Sequence, residues 1–234
     1  MKALILNSGL GHRMGALTLE HPKCMTEIGK NETILSRQLS LLVLAGISDV
    51  VITTGYFDEV LVDYCNSLHL PLKITFVKNE RYTETNYIYS IYCAKEYLDD
   101  DIILMHGDLV FDKSVLEAAL AIDGSCVKVS SSLPLPDKDF KAVVKDGLVM
   151  SVGVEFFDSA MEAQALYKLN RADWKIWLDK ITEYCESGND NCYAEKALNE
   201  ITSEFNLLAL DMKDTLCTEI DTPEDLEKVK AMLK

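Results

Sequence analysis

Short apolar runs alternate with longer amphipathic segments through the first half of the chain. The apolar runs are rich in branched side chains and end at turn residues, which is typical of buried parallel strands. Between them, apolar residues recur at the three- and four-residue spacing of helices that pack one face on a sheet. This pattern predicts an α/β fold with a mostly parallel sheet and helices on both faces. The predicted strands are 3–6, 50–54, 74–77 and 102–105, and the predicted helices are 34–45, 57–68 and 87–98.

The pattern changes after residue 124, where short strands joined by tight turns predict a small antiparallel insertion. These strands are expected at 126–130, 142–144, 148–152 and 154–157. Helices over 172–185 and 193–204, a strand at 206–210 and a terminal helix beginning at Thr222-Pro223-Glu224 then complete the chain. No repeat or linker interrupts it, so we expect a single domain over 1–234.

Charge and cysteine content narrow the functions that such a domain can have. The chain has 23 Lys and Arg against 38 Asp and Glu, a net charge of −15. The electric field of this negative charge repels nucleic acid and anionic membranes, so neither is an expected partner. Binding of an anionic ligand therefore requires a local cluster of basic residues. The 7 cysteines are scattered without a C-x-x-C pair, which favours reduced thiols and a cytoplasmic protein. No apolar stretch reaches the ~18 residues of a spanning helix.

The loop after the first predicted strand has the composition of an anion-binding loop. Gly9 and Gly11 let backbone N–H groups approach an anion closely. Arg13 and Lys23, which follows a proline, are two cations that can converge on one polyphosphate. The alternative is an ordinary strand–helix turn with a solvated arginine. The spacing matches neither the G-x-G-x-x-G loop of dinucleotide folds nor the G-K-[ST] of P-loops, so a different kind of phosphate cradle is predicted.

This loop and four later segments resemble the sugar-1-phosphate nucleotidyltransferase superfamily, whose signature is G-x-G-x-R followed by P-K. The later segments are 82–90, 106–108, 137–147 and 218–226, and they occur in the family's order. The chain looks most like short bacterial cytidylyltransferases acting on phosphocholine, 2-aminoethylphosphonate or related compounds. The resemblance implies a Rossmann-like nucleotidyltransferase sheet, with nucleotide bound by about 1–124 and acceptor by the antiparallel part, about 125–205, before 206–234 return to the core.

The same resemblance implies a reaction and a cofactor. A small phosphate or phosphonate acceptor attacks the α-phosphorus of CTP, and pyrophosphate leaves. Because a phosphate monoester has its second pKa near ~6, the nucleophile is already anionic and needs no general base. Repulsion between two anions is the obstacle, so Mg²⁺ and the cradle cations Arg13 and Lys23 are the expected catalytic groups.

Asp108 and Asp221 are the candidate Mg²⁺ ligands. Asp108 ends a predicted strand, where ligands bind in open α/β sheets, and Asp221 closes a family motif just before the terminal helix. Each aspartate could instead cap a helix. Glu219 is a weaker metal candidate, and His106 is interpreted as a packing or hydrogen-bonded residue and not as a catalyst.

The remaining candidates concern the two substrates. Asn7 and Ser8 stand where the family usually has two small residues, which places their side chains near the base or ribose. Thr85 and Asn86 are expected to bind the pyrimidine, with a helix N-cap as the alternative. The tyrosines around them are assigned mostly to the core.

For the acceptor, the candidates are Lys141, Lys168 and Glu155, of which either lysine could equally be solvated. Acidic and aromatic residues in this half favour an acceptor carrying an ammonium group, with the ordinary surface of an acidic protein as the alternative.

Three other functions use the same broad fold. A sugar-1-phosphate nucleotidyltransferase would share the cradle, but the chain has little room for its larger insertions. A nucleotide-sugar glycosyltransferase would show D-x-D where this chain reads His106-Gly107-Asp108. A catalytically silent nucleotide-binding regulatory domain is expected to lose the cradle lysine or the carboxylates, which are retained here. The oligomeric state stays open, a homodimer included.

Overall fold

The computed structural model describes residues 1–233, and a nine-stranded sheet runs through its centre. The strands are β1 Lys2–Leu6, β2 Glu27–Gly29, β3 Glu32–Thr33, β4 Asp49–Thr54, β5 Lys73–Lys78, β6 Ile102–His106, β7 Leu109–Phe111, β8 Ser125–Ser130, β9 Lys141–Lys145, β10 Leu148–Gly153, β11 Ala160–Leu169, β12 Leu207–Asp211 and β13 Cys217–Glu219. The helices are α1 Ile34–Leu44, α2 Asp58–Ser67, α3 Tyr87–Ala94, α4 Lys113–Ala121, α5 Arg171–Glu186, α6 Ala194–Asn199 and α7 Pro223–Met232. Short 3₁₀ segments lie at His12–Thr18, Lys23–Met25 and Lys95–Tyr97.

The strand order in the large sheet is β5-β4-β1-β6-β11-β8-β12-β10-β9. The predicted parallel strands β5, β4, β1 and β6 form one half of it, and β8 pairs with β12 in parallel as well. The other pairs are antiparallel. The predicted α/β fold is confirmed, and its antiparallel part continues the same sheet.

Helices cover both faces of the sheet because strand residues alternate between two apolar cores. In β1, Leu4 and Leu6 join the core that includes α3, α5 and α6. Ala3 and Ile5 point the opposite way, into the core formed with α1, α2 and α4. This double burial explains why the strand reads as an unbroken apolar run.

The predicted elements differ from the structure at three places between residues 154 and 204. Residues 154–157 do not form a strand, because β10 ends at Gly153 and the chain then turns through Ser159, which has a φ of 54°. The strand that follows, β11, is ten residues long and was not predicted. Its buried positions include the polar residues Glu162, Gln164 and Lys168, which conceal the apolar pattern of a core strand. The predicted helix 193–204 is also shorter, since α6 ends at Asn199.

Register and a small side sheet bring distant segments together at one edge of the large sheet. Leu6, the last residue of β1, lies beside His106, the last residue of β6. The loops that follow these two strands therefore emerge side by side. β13 pairs with β7, and the N–H of Ile220 donates to the carbonyl of Asp108 over 3.1 Å. This bond places residues 219–221 next to the end of β6.

Helix starts follow the predicted capping chemistry. Thr222 and Asp225 form a reciprocal capping box at the start of α7, with Pro223 in the first turn. The side chain of Asn86 accepts a hydrogen bond from the N–H of Tyr87 and caps α3. Within residues 1–233, no helix has both the length and the apolar character needed to cross a bilayer.

Candidate active site

Three adjoining cavities lie along the carboxyl ends of β1 and β6, and Asp108 lines all three. The first cavity, of about 260 Å³, is lined by Ser8, Asn79, Tyr82, Thr85 and Asn86 among others. The second, of about 330 Å³, is lined by the loop after β1 together with Lys23. The third, of about 380 Å³, is lined by Asp139, Phe140, Tyr193, Glu219 and Asp221 among others. One cleft thus has three compartments that meet at a single carboxylate.

The glycine loop forms the wall of the second cavity. Gly11 has a φ of 67°, and its carbonyl accepts hydrogen bonds from the N–H of Met14 and the hydroxyl of Thr18. A side chain at Gly11 would be strained at that φ and would lie only 3.3 Å from the Cβ of Lys23. Apart from the residues on either side of Gly9, no atom lies within 4 Å of a Cβ built at that position. The backbone at Gly9 is therefore open to a ligand.

Four predicted site residues form one ionic cluster at the end of the second cavity. The ammonium of Lys23 donates to Oδ2 of Asp108 over 2.5 Å and also to Asp221. Arg13 pairs with the other oxygen of Asp221 at 2.8 Å. Burial disfavours the charged form of Lys23, but Asp108 and Asp221 outweigh it and raise its pKa. Burial likewise opposes the charged form of Asp108, but Lys23 and His106 lower its pKa overall.

The two aspartates fit a divalent cation with a preference for oxygen ligands. Both carboxylates contact the same ammonium, so they face one point between them. Oδ1 of Asp108 is buried and has no hydrogen-bond partner among the described residues, which leaves a lone pair free for a ligand. One carboxylate oxygen each from Asp139, Glu219 and Asp221 lie within 4.8 Å of one another. Carboxylates together with waters are the usual ligands of Mg²⁺.

His106 lies at the boundary between the first and third cavities. Its Nδ1 lies 2.8 Å from Oε1 of Glu219. Burial lowers the pKa of His106, but the bond to Glu219 and the charges of Glu219 and Asp108 outweigh it and raise the pKa to about 9. Its Nε2 is buried without a partner in the described chain. His106 is therefore hydrogen-bonded, as one of the two interpretations from the sequence has it, and its ring also lines the cleft.

Hydrogen-bonding side chains line the first cavity. The buried amide of Asn79 donates to the hydroxyls of Thr85 and Ser90 at 3.0 and 3.1 Å. The hydroxyl of Ser8 is buried without a partner in the described residues. Thr85 and Asn86, the predicted pyrimidine contacts, both line this cavity, and each also has a structural bond of its own. Asn79 was not predicted, because a single Asn after a strand gives no signal beyond that of a turn.

Aromatic rings and carboxylates together line the third cavity. The ring of Tyr193 stacks on Tyr87 with centroids 5.8 Å apart and meets Phe140 edge-on at 5.2 Å. Asp139, Glu219 and Asp221 line the same cavity. Ring faces and carboxylates both attract a cation. Helical spacing predicts a core position for Tyr87, and no local pattern indicates Phe140 or Tyr193 as site residues, since the three rings come from separate segments.

The structure corrects the predicted acceptor contacts of two lysines. Lys168 is buried beside Ile103, near the start of β6 and away from its carboxyl end, and its ammonium donates to the carbonyls of Ile122 and Gly124 and to Asn170. Lys141 is fully buried and donates to the carbonyls of Pro136 and Asp139. Both ammonium groups are therefore already hydrogen-bonded within the protein.

Glu155 lies outside the three cavities as well. Its side chain is exposed and folds over Gly153, where a Cβ would meet Oε2 of Glu155 at 2.6 Å. The neighbouring Val154 lines the third cavity, so Glu155 stands at its margin.

Comparison with known proteins identifies relatives for this arrangement. Residues 3–128, more than half of the 234-residue chain, match the MobA-like NTP transferase domain family. The CTP:phosphoglutamine cytidylyltransferase of Campylobacter jejuni is 28% identical, with 97% of this chain and 98% of the relative covered. The choline-phosphate cytidylyltransferase of Streptococcus pneumoniae is 23% identical, with 100% and 99% covered.

A solved structure shares the whole fold. The inositol-1-phosphate CTP transferase from T. maritima superimposes with a TM-score of 0.80 at 20% identity, covering 100% of this chain and 96% of the other. The predicted nucleotidyltransferase fold is thereby confirmed.

Proposed function

The chain belongs to the MobA-like NTP transferase domain family, and on that premise we propose that it transfers CMP from CTP to a small phosphate or phosphonate acceptor. Pyrophosphate is the second product. The observation that carries this proposal is the position of Asp108, which lines the glycine-loop cavity and both cavities beside it. Two full-length relatives are cytidylyltransferases by name, and this favours CTP over other nucleotides.

The cavities suit the three parts of the reaction. The first cavity offers Ser8, Asn79 and Thr85 as hydrogen-bonding groups for the edge of a pyrimidine. The second offers open backbone at Gly9 and the cations Arg13 and Lys23 for the triphosphate. The third receives the acceptor on the other side of Asp108, so that its phosphate oxygen meets the α-phosphorus there.

Arg13 and Lys23 hold the phosphates and oppose the repulsion between two anions. In the structure both cations pair with Asp221, and a bound triphosphate would offer them a second anionic partner. Because negative charge moves toward the leaving pyrophosphate, a fixed ammonium stabilises the transition state more than the ground state. Asp108 and Asp221 would hold Mg²⁺, which neutralises phosphate charge and aligns the attacking and leaving oxygens when bound. The acceptor phosphate is already anionic at neutral pH, so no side chain has to remove a proton.

The acceptor in this proposal carries a positive group next to its phosphate. An ammonium or alkylammonium group would be surrounded by the rings of Tyr87, Phe140 and Tyr193. The carboxylates of Asp139 and Glu219 would balance its positive charge. This role replaces the one predicted for Lys141, Lys168 and Glu155. The reaction is assigned to the cytoplasm, because all seven cysteines are free thiols.

Pyrophosphate release tests the proposal. The protein is incubated with Mg²⁺, a mixture of phosphocholine and 2-aminoethylphosphonate, and one of CTP, UTP, ATP or GTP. We expect release with CTP that depends on the acceptors and is absent in Asp108→Asn. Equal or faster release with UTP would refute the cytidylyl assignment, and release without any acceptor would indicate hydrolysis instead of transfer.

A further inference from the structure

An ion pair joins the wall of the first cavity to the wall of the third from outside the cleft. Nη1 of Arg81 lies 2.7 Å from Oδ2 of Asp190, whose side chain is only 12% exposed. Arg81 belongs to the loop 79–86, which lines the first cavity. Asp190 belongs to the loop 187–193 between α5 and α6, and this loop ends at Tyr193 in the third cavity.

Further contacts make this junction specific. The N–H of Asn86, the last residue of loop 79–86, donates to the carbonyl of Asp190 over 3.0 Å. The guanidinium of Arg81 lies 4.9 Å from the ring centroid of Tyr89 on α3 and also bonds Glu84. The two loops therefore meet through one side-chain pair and one backbone bond, with α3 beneath them.

The backbone of Arg81 organises its own loop independently of the side chain. Its N–H donates to Asn79, and its carbonyl accepts from the N–H groups of Glu84 and Thr85 and from the hydroxyl of Thr85. A ligand that orders Asn79 and Thr85 thereby also fixes the position of Arg81. The side chain transmits this order to Asp190, because a charge-assisted bond to a largely buried carboxylate is strongly directional.

We propose that Arg81 and Asp190 form a positioning pair that couples occupation of the first cavity to the ordering of loop 187–193 and hence of Tyr193. The inference rests on the proposed function in one respect, that CTP is the ligand of the first cavity. Coupling of this kind is reciprocal, so an acceptor in the third cavity tightens the binding of CTP by the same factor. Neither residue touches the reacting atoms.

Hydrogen–deuterium exchange of the whole protein tests the coupling, with CTP and Mg²⁺ present and no acceptor, so that no turnover occurs. In the wild type, CTP is expected to slow amide exchange in loop 79–86. It should also slow amide exchange in loop 187–193, on the order of tenfold. In Arg81→Gln the slowing in 79–86 remains and the slowing in 187–193 is lost. Arg81→Lys, which can still pair with Asp190, restores part of it.

The matched control is Arg171→Gln, which removes another arginine paired with an aspartate, Asp99, at 2.7 Å on the protein surface. We expect the control to respond to CTP as the wild type does. A merely structural role of Arg81 would change exchange in 187–193 equally with and without CTP, and that result would overturn the inference. CTP protection of 187–193 that persists in Arg81→Gln would overturn it as well. Absence of any CTP protection in the wild type would instead refute the proposed function, and the inference with it.

Discussion

The ammonium of Lys23 lies 2.5 Å from Oδ2 of Asp108, although the two residues are 85 positions apart in the sequence. The same ammonium contacts Asp221, 198 positions away. Two carboxylates that suit a divalent cation are thus bridged by one cation of the phosphate cradle, and Arg13 pairs with Asp221 as the second cation. This arrangement leads to predictions about stability as well as rate.

Replacing Lys23 by Met is expected to change the response to Mg²⁺. Without the ammonium, Asp108 and Asp221 repel one another in a largely buried site, so Mg²⁺ should raise the melting temperature of the variant more than that of the wild type. Differential scanning fluorimetry with and without Mg²⁺ measures this. Lys113→Met, at an exposed position on α4, serves as the control. If Mg²⁺ raised the melting temperature equally in all three proteins, Lys23 would have no influence on Mg²⁺ binding.

The Lys23→Met substitution should also reduce turnover. We expect kcat to fall by at least about 100-fold, the usual effect of removing one group that stabilises developing negative charge. Steady-state rates of pyrophosphate release at saturating CTP give the value. An unchanged kcat with a raised KM for CTP would mean that Lys23 contributes binding alone.

Asp108→Asn and Asp221→Asn are each expected to lower activity by at least about 100-fold while circular dichroism stays that of the wild type. An amide is a poor ligand for Mg²⁺ and does not neutralise Lys23. Asp99→Asn, an exposed substitution, controls for loss of charge. If either cleft variant kept near wild-type rates at saturating Mg²⁺, that aspartate would not be a ligand of Mg²⁺.

The raised pKa of His106 predicts a pH dependence in the ligand-free protein. The pKa is about 9, above the ordinary value, so the stabilisation from charged His106 is complete below about 6.5 and is lost as pH rises through about 9. The negative charges that raise this pKa are those of Glu219, Asp108 and Glu195. NMR titration of the 4 histidines, with His106→Gln to assign the signal, measures the pKa. Titration of His106 near 6.5 would contradict this account.

The ring of Tyr193 is expected to contribute to acceptor binding. Tyr193→Leu removes one aromatic face, and the KM for phosphocholine should rise about tenfold, equivalent to roughly 1–2 kcal/mol of cation–π attraction. Tyr193→Phe keeps the face and should retain an almost unchanged KM, and the KM for CTP should be similar in both. A phosphocholine KM that is the same in the Leu and Phe variants would argue against the aromatic site.

Much of the nucleotide half could be predicted from the sequence because its signals are local. The glycine loop, Arg13 and Lys23 lie close together in the chain, and Asp108 comes two residues after the apolar strand β6. Their meeting with Asp221 depends on the pairing of β13 with β7, which no local pattern reveals. That placement came from the resemblance to a family.

The acceptor half was harder to predict for physical reasons. Lys141 and Lys168 are buried with their ammonium groups bonded to carbonyls, and such lysines look the same in sequence as solvated or ligand-binding ones. The wall of the third cavity combines Tyr87, Phe140 and Tyr193 from three segments. Only the tertiary fold brings these rings together.

The most direct test of the central claim follows the α-phosphate itself. The protein is incubated with Mg²⁺, CTP labelled at the α-phosphorus, and phosphocholine, 2-aminoethylphosphonate and glucose-1-phosphate in competition at equal concentration. We predict that the label appears in a CMP conjugate of an amine-bearing acceptor, with one pyrophosphate released per conjugate. Label that remains in CTP or appears only in free CMP would contradict cytidylyl transfer, and faster consumption of glucose-1-phosphate would contradict the proposed acceptor.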